Sequence, residues 1–193
     1  MRLVEGSRAE GARHHVAVLD DQATQRRRRL LRSQVVVGGV DDSLLDGSKS
    51  VPGLAVDAEL RWALLSRLVV LGRAGVDAIV NERDRDDTAA GRRHEQRLRA
   101  ARPTAEAKEE AWALATEDES LPNAEQSAII AGFQQPEQRE LLRPYVTRYF
   151  EVIGPLWDRR THEMAEQVAV GLFPHQLVDQ SVVDITDEYL RTQ

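Results

Sequence analysis

Ala58-Glu59-Leu60-Arg61-Trp62-Ala63-Leu64-Leu65-Ser66-Arg67-Leu68-Val69-Val70-Leu71 is the stretch on which the fold turns. Leu60, Leu64, Leu68 and Leu71 recur at spacings of 4, 4 and 3, and Trp62, Leu65 and Val69 widen the stripe. That period gathers the apolar side chains on one face of a helix. Gly72 and Gly75 follow as a C-terminal stop.

Downstream the same pattern continues with little pause. Val76 to Ala101 opens with Ile79 and Val80 and then turns polar, which predicts a long surface helix interrupted or weakened near Gly91. Thr104 is placed to cap the next helix, with Glu106, Glu109 and Glu110 near the positive end of its dipole and Ala107, Ala111, Trp112 and Ala115 on its buried face. Asn123 with Gln126 three residues on has capping-box spacing, and Ile129, Ile130 and Phe133 fill that helix. Pro136 opens another, carrying Leu141, Leu142, Tyr145, Val146, Tyr149 and Phe150, with Pro144 as a kink. A break is expected at Gly154-Pro155, followed by a stripe of Leu156, Trp157, Met164, Val168 and Leu172. Ser181 with Asp184 reads as the start of a terminal helix with Val182, Val183, Ile185, Tyr189 and Leu190 on its inner side.

No strict apolar/polar alternation flanked by hairpin turns occurs, so the predicted class is all-α. Stacked antiparallel helix pairs joined by Pro and Gly turns, none able to bury its own face, point to a curved, HEAT-like array. Residues 1–43 read differently, as a leader that is either loosely structured or unrelated to the body that follows. They carry His14-His15, the Arg26 to Arg29 block, Val35-Val36-Val37 and Gly38-Gly39, with at most a short helix around Asp20 to Arg32. A turn-rich stretch from Asp46-Gly47-Ser48 to Pro52-Gly53 leads into the body, so the domain is drawn at 44–193.

The 193 residues carry a formal charge of −6. Residues 1–46 hold 8 Arg against 7 Asp and Glu, so the negative charge lies in the remainder, which argues against nucleic acid as a partner. No long uncharged apolar run exists, so no membrane span is expected, and the polar start shows no secretory signal; a cytoplasmic location follows as the simplest expectation. With no Cys, disulfides, thiolate metal sites and a Cys nucleophile are excluded.

The nearest approach to a catalytic motif is His162-Glu163-Met164-Ala165-Glu166. A zinc-peptidase helix places two His one turn apart with a Glu to activate water, but here Glu166 stands at the second His position and no third ligand is marked. The motif reads as an exposed helix face. Trp62, Trp112 and Trp157 fall on apolar stripes and are expected in the core. The polar turn Gln134-Gln135-Pro136-Glu137-Gln138-Arg139 admits two readings. One is a face for a peptide or partner through Gln134, Gln135, Arg139 and Arg143; the other is an ordinary exposed turn.

Several segments together resemble the C-terminal helical domain of actinobacterial aminopeptidase N, a zinc metallopeptidase of the gluzincin class. The resemblance is carried by Gly53-Leu54-Ala55-Val56-Asp57-Ala58-Glu59-Leu60-Arg61-Trp62 and by Ala101-Arg102-Pro103-Thr104-Ala105-Glu106-Ala107-Lys108. Further on it rests on Gly132-Phe133-Gln134-Gln135-Pro136, Glu140-Leu141-Leu142-Arg143-Pro144-Tyr145-Val146 and Gly171-Leu172-Phe173-Pro174. It implies helices that cap the active-site cavity of a peptidase removing N-terminal residues from peptides. The family's Gly-Ala-Met-Glu-Asn and His-Glu-x-x-His motifs have no counterpart here, so no catalytic or metal-binding residue is carried over and zinc belongs to the parent family alone. This implies a chain inactive by itself, whose partners are a peptide substrate and a separate catalytic domain, with apolar surface that binds dye or drives self-association. The alternative is a stand-alone helical-repeat module that binds peptides or a protein.

Overall fold

The computed structural model describes residues 42–192. Among them are nine α-helices, three short 3-10 turns and no strand, so the chain is all-α. The helices are α1 (Ala58–Val70), α2 (Val76–Arg85), α3 (Ala89–Ala100), α4 (Ala105–Thr116) and α5 (Asn123–Phe133). They continue with α6 (Arg139–Leu142), α7 (Tyr145–Arg159), α8 (His162–Gly171) and α9 (Gln180–Thr192). Residues before 42 lie outside the described part, and with them the short helix expected around Asp20 to Arg32, the Arg26 to Arg29 block and His14-His15.

The described residues divide into two compact units, one up to Leu64 and one from Leu65 onward. In the first, turns at Gly47 (φ 80°) and Gly53 (φ 81°) use the left-handed backbone open to glycine. Asp57 Oδ1 accepts from the Leu60 N–H at 3.0 Å and caps α1, while the Arg61 guanidinium donates to the Leu45 carbonyl at 2.8 Å. Leu60, Trp62 and Leu64 are buried.

The second unit is built of packed helix pairs. α3 lies closest to α5, because Gly132 leaves no side chain between them: a Cβ there would sit 2.0 Å from the Arg97 carbonyl oxygen. At Gly171 a Cβ would meet Ile130 at 2.2 Å, which sets the approach of α8 to α5. Ala111, Trp112 and Ala115 from α4, Ile129 and Phe133 from α5, and Tyr145, Tyr149, Ile153 and Leu156 from α7 share one core. The ring of Tyr145 sits 5.0 Å from both Trp112 and Phe133. Arg148 lies over Trp112 and Tyr145 at 5.2 and 5.0 Å, held there by a bidentate bond to Glu109.

Several local expectations are corrected. The interruption expected near Gly91 is a full break at Asp86 to Thr88, just ahead of it: the Thr88 hydroxyl accepts from the Gly91 N–H at 3.0 Å and starts α3 anew. Pro144 separates α6 from α7 instead of kinking one helix. Gly154-Pro155 does not break α7; Pro155 removes the bond to the Glu151 carbonyl on the exposed side, where water can replace it, while Ile153 and Leu156 keep the buried face intact. Asn123 is the first residue of α5 and makes no cap; its side chain accepts from Gln167 of α8, and Gln126 is drawn into the same contact. Asp179, not Ser181, caps α9, accepting from the Val182 N–H at 3.2 Å, and of its apolar residues Val182 is buried while Val183 and Leu190 are exposed. Trp157 is 42% exposed, with its ring tilted against that of His162, so it is not a core residue.

Candidate functional site

The residues singled out at the polar turn serve different ends. Gln134 Nε2 donates to the carbonyls of Gly171 and Phe173 at 2.9 and 2.6 Å, tying the end of α8 to the end of α5. Gln135 Nε2 donates back to Gly132 at 3.0 Å. Arg139 is exposed on α6, and Arg143 is exposed between Glu140 and Asp179 at 3.4 and 3.6 Å. Of the four, Gln134 borders the cleft between α5 and α8.

Two neighbours that the sequence does not single out, Lys108 and Gln138, act like Gln134. Lys108 of α4 is fully buried, and its ammonium group donates to Ala100 at the end of α3 and to Phe133 at the end of α5, at 2.8 and 2.7 Å. Burial, with the Arg102 charge adding to it, pulls its pKa down to about 7. Gln138 Nε2 bridges the carbonyl of Val70, the last residue of α1, and that of Ala101, just past α3, at 3.1 and 2.9 Å. The last carbonyls of a helix lack intrahelical donors and carry the negative end of its dipole, so a donor from another helix satisfies both needs. The only hint in the sequence was a Lys on a helix face otherwise rich in Ala.

Wide clefts open on the second unit. One, of about 650 Å³, lies between α4 and the α6–α7 junction and is bordered by Glu106, Glu109, Glu110, Glu140 and Tyr145. Most of its carboxylates are already paired: Glu109 with Arg148 and the Tyr145 hydroxyl, Glu110 with Arg102, and Glu140 with Arg143. The Arg148 and Tyr145 bonds hold the Glu109 carboxyl below its ordinary pKa, and burial, then Glu109, raise that of Tyr145 to about 12.

The other cleft, of about 520 Å³, lies between α5 and α8. Ile130 and Val170 supply apolar wall, and Val170 is 71% exposed. Glu163 and Glu166 stand on its rim, and among the described residues neither is engaged in an ion pair or hydrogen bond. His175 also borders it, with Nδ1 3.0 Å from the Phe173 carbonyl. Thr161 caps α8 through the Met164 N–H, so Glu163 falls in the first turn, where the helix dipole favours a carboxylate.

No group of three His, Asp or Glu among the described residues is placed to hold a metal ion. The His162 ring faces Trp157 at 5.1 Å, and Glu163 and Glu166 lie exposed on the cleft rim. The described residues therefore do not fit the zinc that the resemblance implies for the parent family. No helix among them is long and apolar enough to cross a membrane.

The family model for the ERAP1-like C-terminal domain matches residues 13–193. The chain belongs to this family. This ERAP1-like chain is also 54% identical over 149 residues to aminopeptidase N of Streptomyces lividans. The aligned part covers 77% of this chain and 17% of that relative, so the ERAP1-like chain corresponds to a small share of the longer enzyme. The family match reaches back to residue 13, well into the segment that the sequence sets apart as a leader.

Proposed function

We propose that this chain is the C-terminal helical part of a zinc aminopeptidase that removes N-terminal residues from peptides, and that it covers the chamber in which the substrate lies. The observation that carries the reading is the 54% identity to an aminopeptidase N over 149 residues. The all-helical architecture is in keeping with it, since helix pairs that expose a row of termini and clefts make walls for an extended ligand.

The chemistry of bond cleavage belongs, in this reading, to a catalytic part that supplies zinc, activates water and grips the substrate's free amine. The present chain contributes enclosure and is inactive alone; cytoplasmic residence belongs to the same proposal. Val170, Leu190, Val178 and Trp157, exposed by 71, 68, 57 and 42%, are apolar surface that a neighbouring part or a second copy covers.

The test is to mix the purified chain with the Streptomyces lividans enzyme cut short of its matching segment. A one-to-one complex, with loss of the chain's binding of a hydrophobic dye, is expected. No association, or chelator-sensitive release of amino acids by the chain alone, contradicts the reading. A folded chain that binds an unrelated protein and ignores the truncated enzyme instead favours an independent interaction module.

A further inference from the structure

We propose that the α5–α8 cleft binds an arginine side chain of a peptide. The two clefts differ in what their carboxylates already hold. At the α4 cleft three of the four carboxylates, Glu109, Glu110 and Glu140, are matched by Arg148, Arg102 and Arg143 of the chain itself, and only Glu106 is left over among the described residues. At the α5–α8 cleft Glu163 and Glu166 have no such partner among the described residues. They are three residues apart on α8, hence on one face of the helix.

The remaining polar groups of the rim sharpen the preference. Gln134 Nε2 is engaged by two carbonyls, and Gln167 Nε2 donates to Asn123. His175 Nδ1 lies against the Phe173 carbonyl, so a neutral ring turns its Nε2 outward as an acceptor. The cleft thus offers two charged acceptors while its amide donors are in use, which suits a donor-only cation. Val170 and Ile130 supply an apolar surface for the aliphatic stem, as long basic side chains require. A guanidinium presents five N–H donors in a planar fork that can address two carboxylates together, which an ammonium group cannot do as well.

The inference names a substrate feature and rests on the proposed peptidase role only for calling the peptide a substrate. Its test uses the full 193-residue chain, isotope-labelled and titrated with acetyl-Ala-Val-Arg-Ala-amide in parallel with the citrulline analogue, which keeps the shape and loses the charge. The arginine peptide is expected to shift resonances of α5 and α8 saturably, to bind at least tenfold more tightly than the citrulline peptide, and to weaken as salt rises. The double variant Glu163→Gln and Glu166→Gln, with both sites exposed, is expected to keep the wild-type melt and lose at least tenfold in affinity. The Glu140→Gln control is expected to bind like wild type. Equal affinity for the two peptides, shifts confined to other helices, undiminished binding by the double variant, or no saturable shift with either peptide overturns the proposal. Those failures leave the peptidase role standing, because association with the truncated enzyme is read separately.

Discussion

Lys108 shows how one side chain can hold three helices. Its ammonium group is sealed from water and has two carbonyl oxygens as acceptors, each at the negative end of a different helix. Lys108→Met keeps most of the volume and leaves both carbonyls without a donor, a loss of roughly 2–4 kcal/mol on general values for unpaired buried polar groups. Urea unfolding at neutral pH reads this as a lowered midpoint. The pH dependence has a defined sign. The folded-state pKa of about 7 lies below the ordinary 10.5, so between those values the unfolded chain binds a proton that the folded chain does not. Stability from this group therefore grows as pH rises from about 7 towards 10.5 and is lost as pH falls through 7. Comparing wild type with Lys108→Met at pH 7 and pH 9 is expected to show the wild type gaining more on the alkaline side. An equal change in both would contradict it.

At the scale of the element, two glycines in helices predict opposite outcomes. Gly132→Ala drives a methyl against the Arg97 carbonyl, which is backbone and cannot swing away, so α3 and α5 must separate. A loss of at least about 3 kcal/mol is expected, at the upper end for overpacking. Gly154 of α7 has its nearest neighbour, the Tyr189 hydroxyl, at an ordinary 3.5 Å, and Gly154→Ala is expected to stabilise by about 0.5–1 kcal/mol through helix propensity. Thermal unfolding of the two variants checks the contrast. The apolar stripes of Leu60, Leu64 and Leu68, and of Ala107, Ala111 and Trp112, were legible because burial imposes the helical period on nearby residues. The staples of Lys108, Gln134 and Gln138 were not, because their acceptors belong to helices 8 to 68 residues away and leave no local pattern. Pro155 misled for a related reason: a missing backbone donor ends a helix only where its carbonyl partner has no other recourse. Of the candidate site, the polar turn was visible in the sequence, but its division into engaged amides and exposed arginines depends on where α8 ends.

For the whole molecule, charge and exposed apolar surface set the expectations. Val170, Val178 and Leu190 are each more than half exposed, and such surface is covered by an adjoining part in the proposed enzyme. The isolated chain is therefore expected to bind a hydrophobic dye and to self-associate as its concentration rises, and Val170→Ser with Leu190→Ser is expected to reduce both. Sedimentation of wild type and variant side by side provides the check; a strictly monomeric wild type without dye binding would contradict it. Acidity and its pairing are a second property at this scale. Three of the four carboxylates at the α4 cleft are matched by arginines of the same chain, whereas among the described residues Glu163 and Glu166 at the α5–α8 cleft are unmatched. The surface thus distinguishes a self-contained groove from one prepared for a cation.

The most direct measurement replaces the matching segment of Streptomyces lividans aminopeptidase N with its counterpart from this chain and follows hydrolysis of an aminoacyl-arylamide. The account predicts a folded chimera with chelator-sensitive activity close to that of the parent. A chimera that is soluble and fully helical in its exchanged part, yet inactive, would contradict it.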